Sequence, residues 1–393
     1  MIIEPKTRGF ICTTAHPAGC KEAVRRQVAY VKAQPGFNGP KKVLVIGAST
    51  GYGLASRITA AFGCGAATIG IIFDKPASGS RTASAGWYNT AAFEQFAQAD
   101  GLYAKTINGD AFSKAVKDET IALIQRDLGQ VDAVVYSLAA PRRTMADGTT
   151  VSSVLKTVGE PYTNKSIDLK TNTISEVTVP PATEQEVKDT ITVMGGGDWF
   201  DWITALRGAG VLAENALTVA YSYIGPEVTH PMYLNGSIGM AKQDLYGTTA
   251  RIRGAFPDIR AYISVNKALV TQSSAAIPIV PLYVSILYKV MKEKGLHEGC
   301  IEQMDRLFRD RLCAGTLLTD TEGRIRVDDY EMQEDVQSAV ADLWTRVSDD
   351  NLDETCDIKG YWADFFEMFG FGFDNVDYSA DVDPAVSIPS LQA

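Results

Sequence analysis

The stretch VLVIGASTGYGLASRI, residues 43–58, constrains this chain more than any other. An apolar run ends in three glycines, Gly47, Gly51 and Gly53, and a segment with helical spacing follows at once. Glycine is favoured where the backbone must turn left-handed or another group must come close. Three of them after a buried strand describe a strand-to-helix turn on which a ligand's phosphates can rest against bare backbone. The helix that opens there aims free N–H groups and the positive end of its dipole at that ligand. A merely tight turn would also account for the glycines, so the surrounding sequence has to decide.

It decides by repetition. Apolar runs at 41–48, 66–74, 101–111 and 131–141 alternate with helical segments, and two more lie at 216–226 and 262–272. Continuous Val, Ile and Leu between helices predicts a parallel sheet covered on both faces. The expected fold class is α/β, a Rossmann-type doubly wound sheet in one large domain over 1–393. Residues 142–181, rich in Thr, Ser, Lys and Asp without helical period, read as a substrate-side insertion of short antiparallel strands. Residues 76–88 read as a flexible loop of the kind that covers a ligand, and 275–393 as pocket helices followed by a C-terminal extension.

Composition removes several function classes. The chain has 393 residues, 46% hydrophobic and 21% charged, which is ordinary for a globular protein. A net charge of −10 argues against nucleic acid or an anionic membrane as partner. The most apolar long stretch, 275–291, is interrupted by Pro278 and Pro281, and the N-terminus carries no apolar leader core. Six scattered cysteines without a CxxC read as free thiols of a reducing compartment, so a cytoplasmic location is expected. Cys12, His16 and Cys20 lack a fourth ligand, and His297-Glu298 begins an HExxH look-alike that fails at Ile301. No metal is expected.

The second strand sharpens the glycine turn. It ends in Phe73-Asp74, with Asp74 twenty-one residues after Gly53, where an acidic side chain can accept from both hydroxyls of an adenosine ribose. The same carboxylate repels a 2′-phosphate, which favours NADH over NADPH, although Lys75 beside it softens the repulsion. Asp110-Ala111 after the third strand and Leu138-Ala139 after the fourth fall where the adenine and the nearer ribose would lie. Four strand ends thus agree on a dinucleotide.

The spacing Gly-x3-Gly-x-Gly resembles that of short-chain dehydrogenase/reductases, which work with a tyrosine and a lysine. The second half of the chain supplies Tyr233 and Lys242, with eight residues between them instead of the usual three. On one continuous helix these two would point apart. Asn235-Gly236-Ser237 predicts a turn and an N-cap between them, leaving Tyr233 in a loop and Lys242 on the helix's second turn.

With that spacing the chain resembles the FabV-type enoyl-ACP reductase and trans-2-enoyl-CoA reductase family. The likeness runs nearly end to end, through RGFICTTAHPAGC, GWYN, INGDAFS, VYSLAAP, VMGGGDW, AYSYIGPE, YLNGSIGMAK, ALVTQSSAAIP, VMKEKGLHEGCIEQ and FGFGFDNVDY. The resemblance implies NADH-dependent reduction of the carbon–carbon double bond of 2-enoyl thioesters, on coenzyme A or acyl carrier protein, in fatty acid synthesis. It implies a cofactor site at Gly47, Ala48, Ser49, Thr50, Gly51, Tyr52, Phe73, Asp74, Asp110, Ala111, Leu138, Ala139, Lys242, Leu269, Val270 and Thr271. Tyr233 matches the proton donor and Tyr223 a substrate-contacting tyrosine. Lys242 is expected to bind the nicotinamide ribose and to lower the tyrosine pKa, and His230 to serve as a cap or surface group. The insertion and the long C-terminal region are expected to cover surfaces through which smaller relatives assemble, and the resemblance likewise implies a monomer. A ketoreductase of β-keto thioesters and a non-catalytic NAD-binding module are the alternatives.

Overall fold

Strands form where the apolar runs lie and stop just short of the glycines and polar residues that end them. The computed structural model describes residues 1–8, 11–272, 274 and 277–391. A small N-terminal hairpin, β1 (Thr7–Arg8) and β2 (Ile11–Cys12), precedes β3 (Lys42–Ile46), β4 (Ala67–Ile72), β5 (Ala104–Asn108) and β6 (Val131–Tyr136). Two further hairpins follow, β7 (Arg142–Thr144) with β8 (Thr150–Ser152) and β9 (Tyr162–Asp168) with β10 (Thr173–Val179). Then come β11 (Leu212–Ser222), β12 (Arg260–Val265) and the short β13 (Ile325–Arg326).

Seven strands make one parallel sheet in the order β13-β12-β11-β6-β3-β4-β5. Strand side chains alternate between faces, and so does their packing. Val43 and Val45 enter the same core as Val135 and Val219, while Leu44 and Ile46 enter the opposite one with Val134 and Ala220. Both faces being apolar, no strand can turn to water, and helices must cover the sheet twice. The chain leaves β3 in one direction for β4 and β5, and in the other for β6 and β11 to β13. Ligands of such sheets sit beyond the carboxyl ends of the strands at that reversal.

Residues 142–181 carry the two antiparallel hairpins, the short strands expected there. The 76–88 expectation needs correction: the helix Ala85–Ala99 has already begun by residue 85, and a Ser78–Arg81 bridge closes the loop before it. The C-terminal region divides in two. Helix Val280–Glu293 lies buried along nearly its whole length, with Pro281 in its first turn, where the missing N–H costs no hydrogen bond. The last residues run back across the first half of the sheet. There Tyr88 donates to the Pro384 carbonyl, Trp87 to that of Val386, and Ser390 donates to buried Glu94. Positions 275, 276, 392 and 393, within the 275–393 expectation, and Gly9 and Phe10 of the first quoted motif lie outside the described residues. Among the described residues no helix is long and apolar enough to cross a membrane.

Candidate active site

The three glycines do different work. A Cβ on Gly47, at φ 85°, would fall 2.3 Å from the Ser137 carbonyl oxygen, and one on Gly53 would fall 1.9 Å from the Gly47 carbonyl. These two let the turn fold down on β6 and let the helix Gly51–Ile58 begin directly above it. Gly51 has φ 53° and nothing within 4 Å of its absent Cβ. Its bare backbone faces open space at the helix start, which is what an approaching pyrophosphate requires.

Around this turn the structure collects most of the expected cofactor residues. Asp74 accepts from Ser84 Oγ at 2.7 Å, and its backbone N–H donates to Asn108 Oδ1 at 2.9 Å. A Cβ on Gly86 would lie 2.5 Å from that carboxylate and 2.6 Å from Ser49 Oγ, so strand end, glycine turn and helix start meet at one point. Phe73, just before Asp74, is 80% exposed. The Asp110-Ala111 turn is held from beneath: the Ala111 carbonyl accepts from Lys117 Nζ and Trp202 Nε1, and Lys117 pairs with buried Asp198 at 2.8 Å. Leu138 leans on Gly47, and Ala139 beyond it is exposed. Tyr52 reaches the far side of the sheet, donating to the Lys267 carbonyl at 2.7 Å. Leu269 and Val270 are buried there, the Val270 N–H donating to Tyr288 Oη, while Thr271 is tied to Ser274.

The second half of the site is assembled from more distant pieces. Helix Ser237–Ala255 carries Lys242 on its second turn, and Tyr233 lies in the irregular turns before it. The cap is Gly236, inside the expected Asn235-Gly236-Ser237 turn. The Ser237 hydroxyl is taken by the insertion, donating to the Val154 carbonyl and accepting from the Lys156 N–H. Tyr162 of β9 also donates to the Val228 carbonyl in the same loop. The insertion therefore buttresses the tyrosine loop. A Cβ on Gly239 would fall 2.2 Å from the Tyr233 carbonyl, so only glycine lets the loop press down on its helix. His230 bonds the Gly225 carbonyl at 2.9 Å, a local cap as expected.

Tyr223 and Tyr233 meet edge to face, ring centroids 4.7 Å apart. Burial raises the Tyr223 pKa far above its usual value and that of Tyr233 to about 12, with the nearby Glu331 charge acting in the same direction. Both are phenols, not phenolates, at neutral pH. The expected lowering by Lys242 is thus not what the structure shows. The Lys242 ammonium donates to the Tyr221 carbonyl at 3.0 Å, and burial lowers its own pKa to about 8. Sequence reasoning missed Glu331, Lys267, Lys117 and Asp198. Each is a charge inside the protein, a signal that appears only once burial is known.

Comparison with known proteins bears on this arrangement directly. Residues 81–313 match the model of the trans-2-enoyl-CoA reductase catalytic region, and residues 2–79 match the NAD(P)H binding domain of trans-2-enoyl-CoA reductase. The chain belongs to the trans-2-enoyl-CoA reductase family. The trans-2-enoyl-CoA reductase [NADH] of Ruminiclostridium cellulolyticum is 58% identical over the full length of both chains. The enoyl-[acyl-carrier-protein] reductase [NADH] of Flavobacterium johnsoniae is 56% identical, again over both full lengths. In structure, Clostridium acetobutulicum trans-2-enoyl-CoA reductase in complex with NADH superposes with a TM-score of 0.96 at 42% identity, covering 99% of this chain and 100% of that one. The Treponema denticola trans-2-enoyl-CoA reductase in complex with NAD gives 0.93 at 48% identity, covering 97% and 98%.

A third model, described as an enoyl reductase FAD binding domain, matches residues 319–382. The residues there do not fit a flavin dinucleotide. Beyond β13, Asp328 is paired with Arg326 and Asp329 with Arg306 and Arg311, Glu331 is buried, and no glycine-rich strand–helix turn follows. Phe365, Phe369 and Phe371 beyond it are buried in the core.

Proposed function

We propose that the chain is an NADH-dependent reductase of trans-2-enoyl thioesters, carried by coenzyme A or acyl carrier protein, in fatty acid synthesis. The observation that carries this reading is the Tyr223–Tyr233 pair beside a glycine turn open at Gly51, at the same carboxyl edge of one sheet. NADH, when bound, would supply a hydride for the β-carbon of the double bond; the α-carbon must then gain a proton, and until it does negative charge gathers on the thioester oxygen. Tyr233, protonated and half-buried, donates to that oxygen and stabilises the charge more in the transition state than in the ground state. The Gly51–Ile58 helix start receives the pyrophosphate, Asp74 the adenosine ribose, and Lys242 the nicotinamide ribose. The Asp110-Ala111 turn and Leu138-Ala139 flank the adenosine, and Leu269, Val270 and Thr271 the nicotinamide end. Helix Val280–Glu293 walls the acyl chain with an apolar face.

Loss of NADH absorbance with crotonyl-CoA, but not with acetoacetyl-CoA, is the expected result. Turnover of acetoacetyl-CoA alone would favour the ketoreductase, and turnover of neither the binding module. Asp74→Ser is expected to narrow the gap between NADH and NADPH, and equal efficiencies in the unsubstituted protein would refute the role of Asp74. The protein is proposed to work as a cytoplasmic monomer; a tetramer-sized species in light scattering at micromolar concentration would contradict the assembly.

A further inference from the structure

Glu331 is fully buried, in the turn that follows β13. Its Oε1 accepts from Tyr223 Oη at 2.9 Å and from Tyr283 Oη at 2.6 Å, and its Oε2 accepts from the Ala268 N–H at 2.7 Å. One carboxylate from the end of β13 thus ties together the chain leaving β12 and the chain leaving β11. With three donors aimed at it, the group acts as an acceptor, the role of an ionised carboxylate. Burial raises its pKa, while Lys267 and the bonds from Tyr283 and Ala268 favour the charged form; Asp328 faces it with like charge. Lys267 is itself buried, its ammonium on the Ala268 carbonyl and over the Tyr288 ring. An apolar side chain would fill this space at lower cost than a buried charge. Packing alone therefore does not explain it.

We propose that Glu331 is a positioning residue for the reduction: it anchors the Tyr223 hydroxyl, so that Tyr223 orients Tyr233 and Tyr233 alone donates to the substrate oxygen. The inference rests on the reading of the tyrosine pair given above. A phenol has one hydrogen to donate. That of Tyr223 is committed to a carboxylate, a charge-assisted bond that a neutral thioester oxygen does not displace. The Tyr223 ring, fixed at its hydroxyl, sets the edge-to-face contact at 83° against which Tyr233 rests. Through the same contact Glu331 has a route to the chemistry without touching substrate.

The test is steady-state kinetics with crotonyl-CoA and NADH titration by fluorescence on Glu331→Gln, Tyr223→Phe and the double variant. The amide keeps the volume and can still accept from Ala268, but it turns an N–H toward the tyrosine hydroxyls. Glu331→Gln is expected to lower kcat about tenfold while the NADH Kd stays within about twofold, and to cost nothing further once Tyr223→Phe is present. The same loss in both backgrounds would overturn the proposal, since the carboxylate would then act on the fold and not through Tyr223. Unchanged kcat in Glu331→Gln would overturn it as well. Should that variant not fold, Glu331→Asp, which keeps the charge but withdraws it by one methylene, is expected to show the same dependence on Tyr223. If the unsubstituted protein fails to reduce crotonyl-CoA, the enoyl reductase reading falls first and this inference with it.

Discussion

The two halves of the site are built differently. On the β3, β4, β5 and β6 side, each functional group directly follows a strand, and all lie between Gly47 and Ala139. The sheet register fixes them, and short bonds such as Ser84 to Asp74 finish the alignment. On the β11, β12 and β13 side, Tyr223, Tyr233, Lys242 and Glu331 come from a strand end, a loop, a helix and a distant turn. Nothing local aligns them. A buried carboxylate ties Tyr223, the hairpins of 142–181 hold the Tyr233 loop, and Lys242 bonds the Tyr221 carbonyl. The first half needs backbone shape, and the second needs a particular set of side-chain bonds.

This contrast can be broken most readily at Tyr233. Tyr233→Phe is expected to lower kcat by about 10²–10³ while leaving NADH binding nearly intact. Near-normal turnover in this variant, with activity abolished in Tyr223→Phe, would exchange the roles of the two tyrosines. On the other side, Gly53→Ala forces a Cβ to within 1.9 Å of the Gly47 carbonyl. It should cost about 3 kcal/mol or more of stability and remove NADH binding, as thermal denaturation and fluorescence titration would show.

A pH experiment separates the halves again. Lys242, with its pKa lowered to about 8, is charged in the free protein below that value and neutral above it. The cation favours an anionic cofactor, so above pH 8 binding takes up a proton and weakens as pH rises, by up to about tenfold per unit. Lys242→Met should bind NADH more weakly at pH 7 and show a flat profile between pH 8 and 9.5. A retained slope would assign the titration to another group. The smallest effect belongs to Gly51→Ala, where no atom meets the new Cβ and only the positive φ resists it. About 1 kcal/mol of stability should be lost, far less than at Gly53. Equal losses at both glycines would mean that conformation, not close approach, governs the turn.

Much of this was legible beforehand, for identifiable reasons. β3 alternates its side chains between two apolar cores, and that pattern is written in VLVI itself. Glycine spacing and the position of Asp74 follow from the stereochemistry of a single turn, within reach of local reasoning. The break between Tyr233 and Lys242 was legible too, because eight residues cannot keep both on one helix face. The turn and cap at Asn235-Gly236-Ser237 were legible as well, but not that the Ser237 hydroxyl would donate to Val154. The tyrosine pKa was expected to follow Lys242, but desolvation and Glu331 set it.

The sequence by itself determined the parallel sheet, the glycine turn and the residue types at four strand ends, since each depends on side-chain period or backbone freedom over a few residues. Only the tertiary structure decided that Glu331, more than a hundred residues after Tyr223 in the chain, would lie beneath it. It alone brought the insertion under the Tyr233 loop. A hydrogen bond between distant segments leaves no periodicity behind. A charge enters the interior only where folding has gathered donors around it, and that gathering is a property of the packed chain.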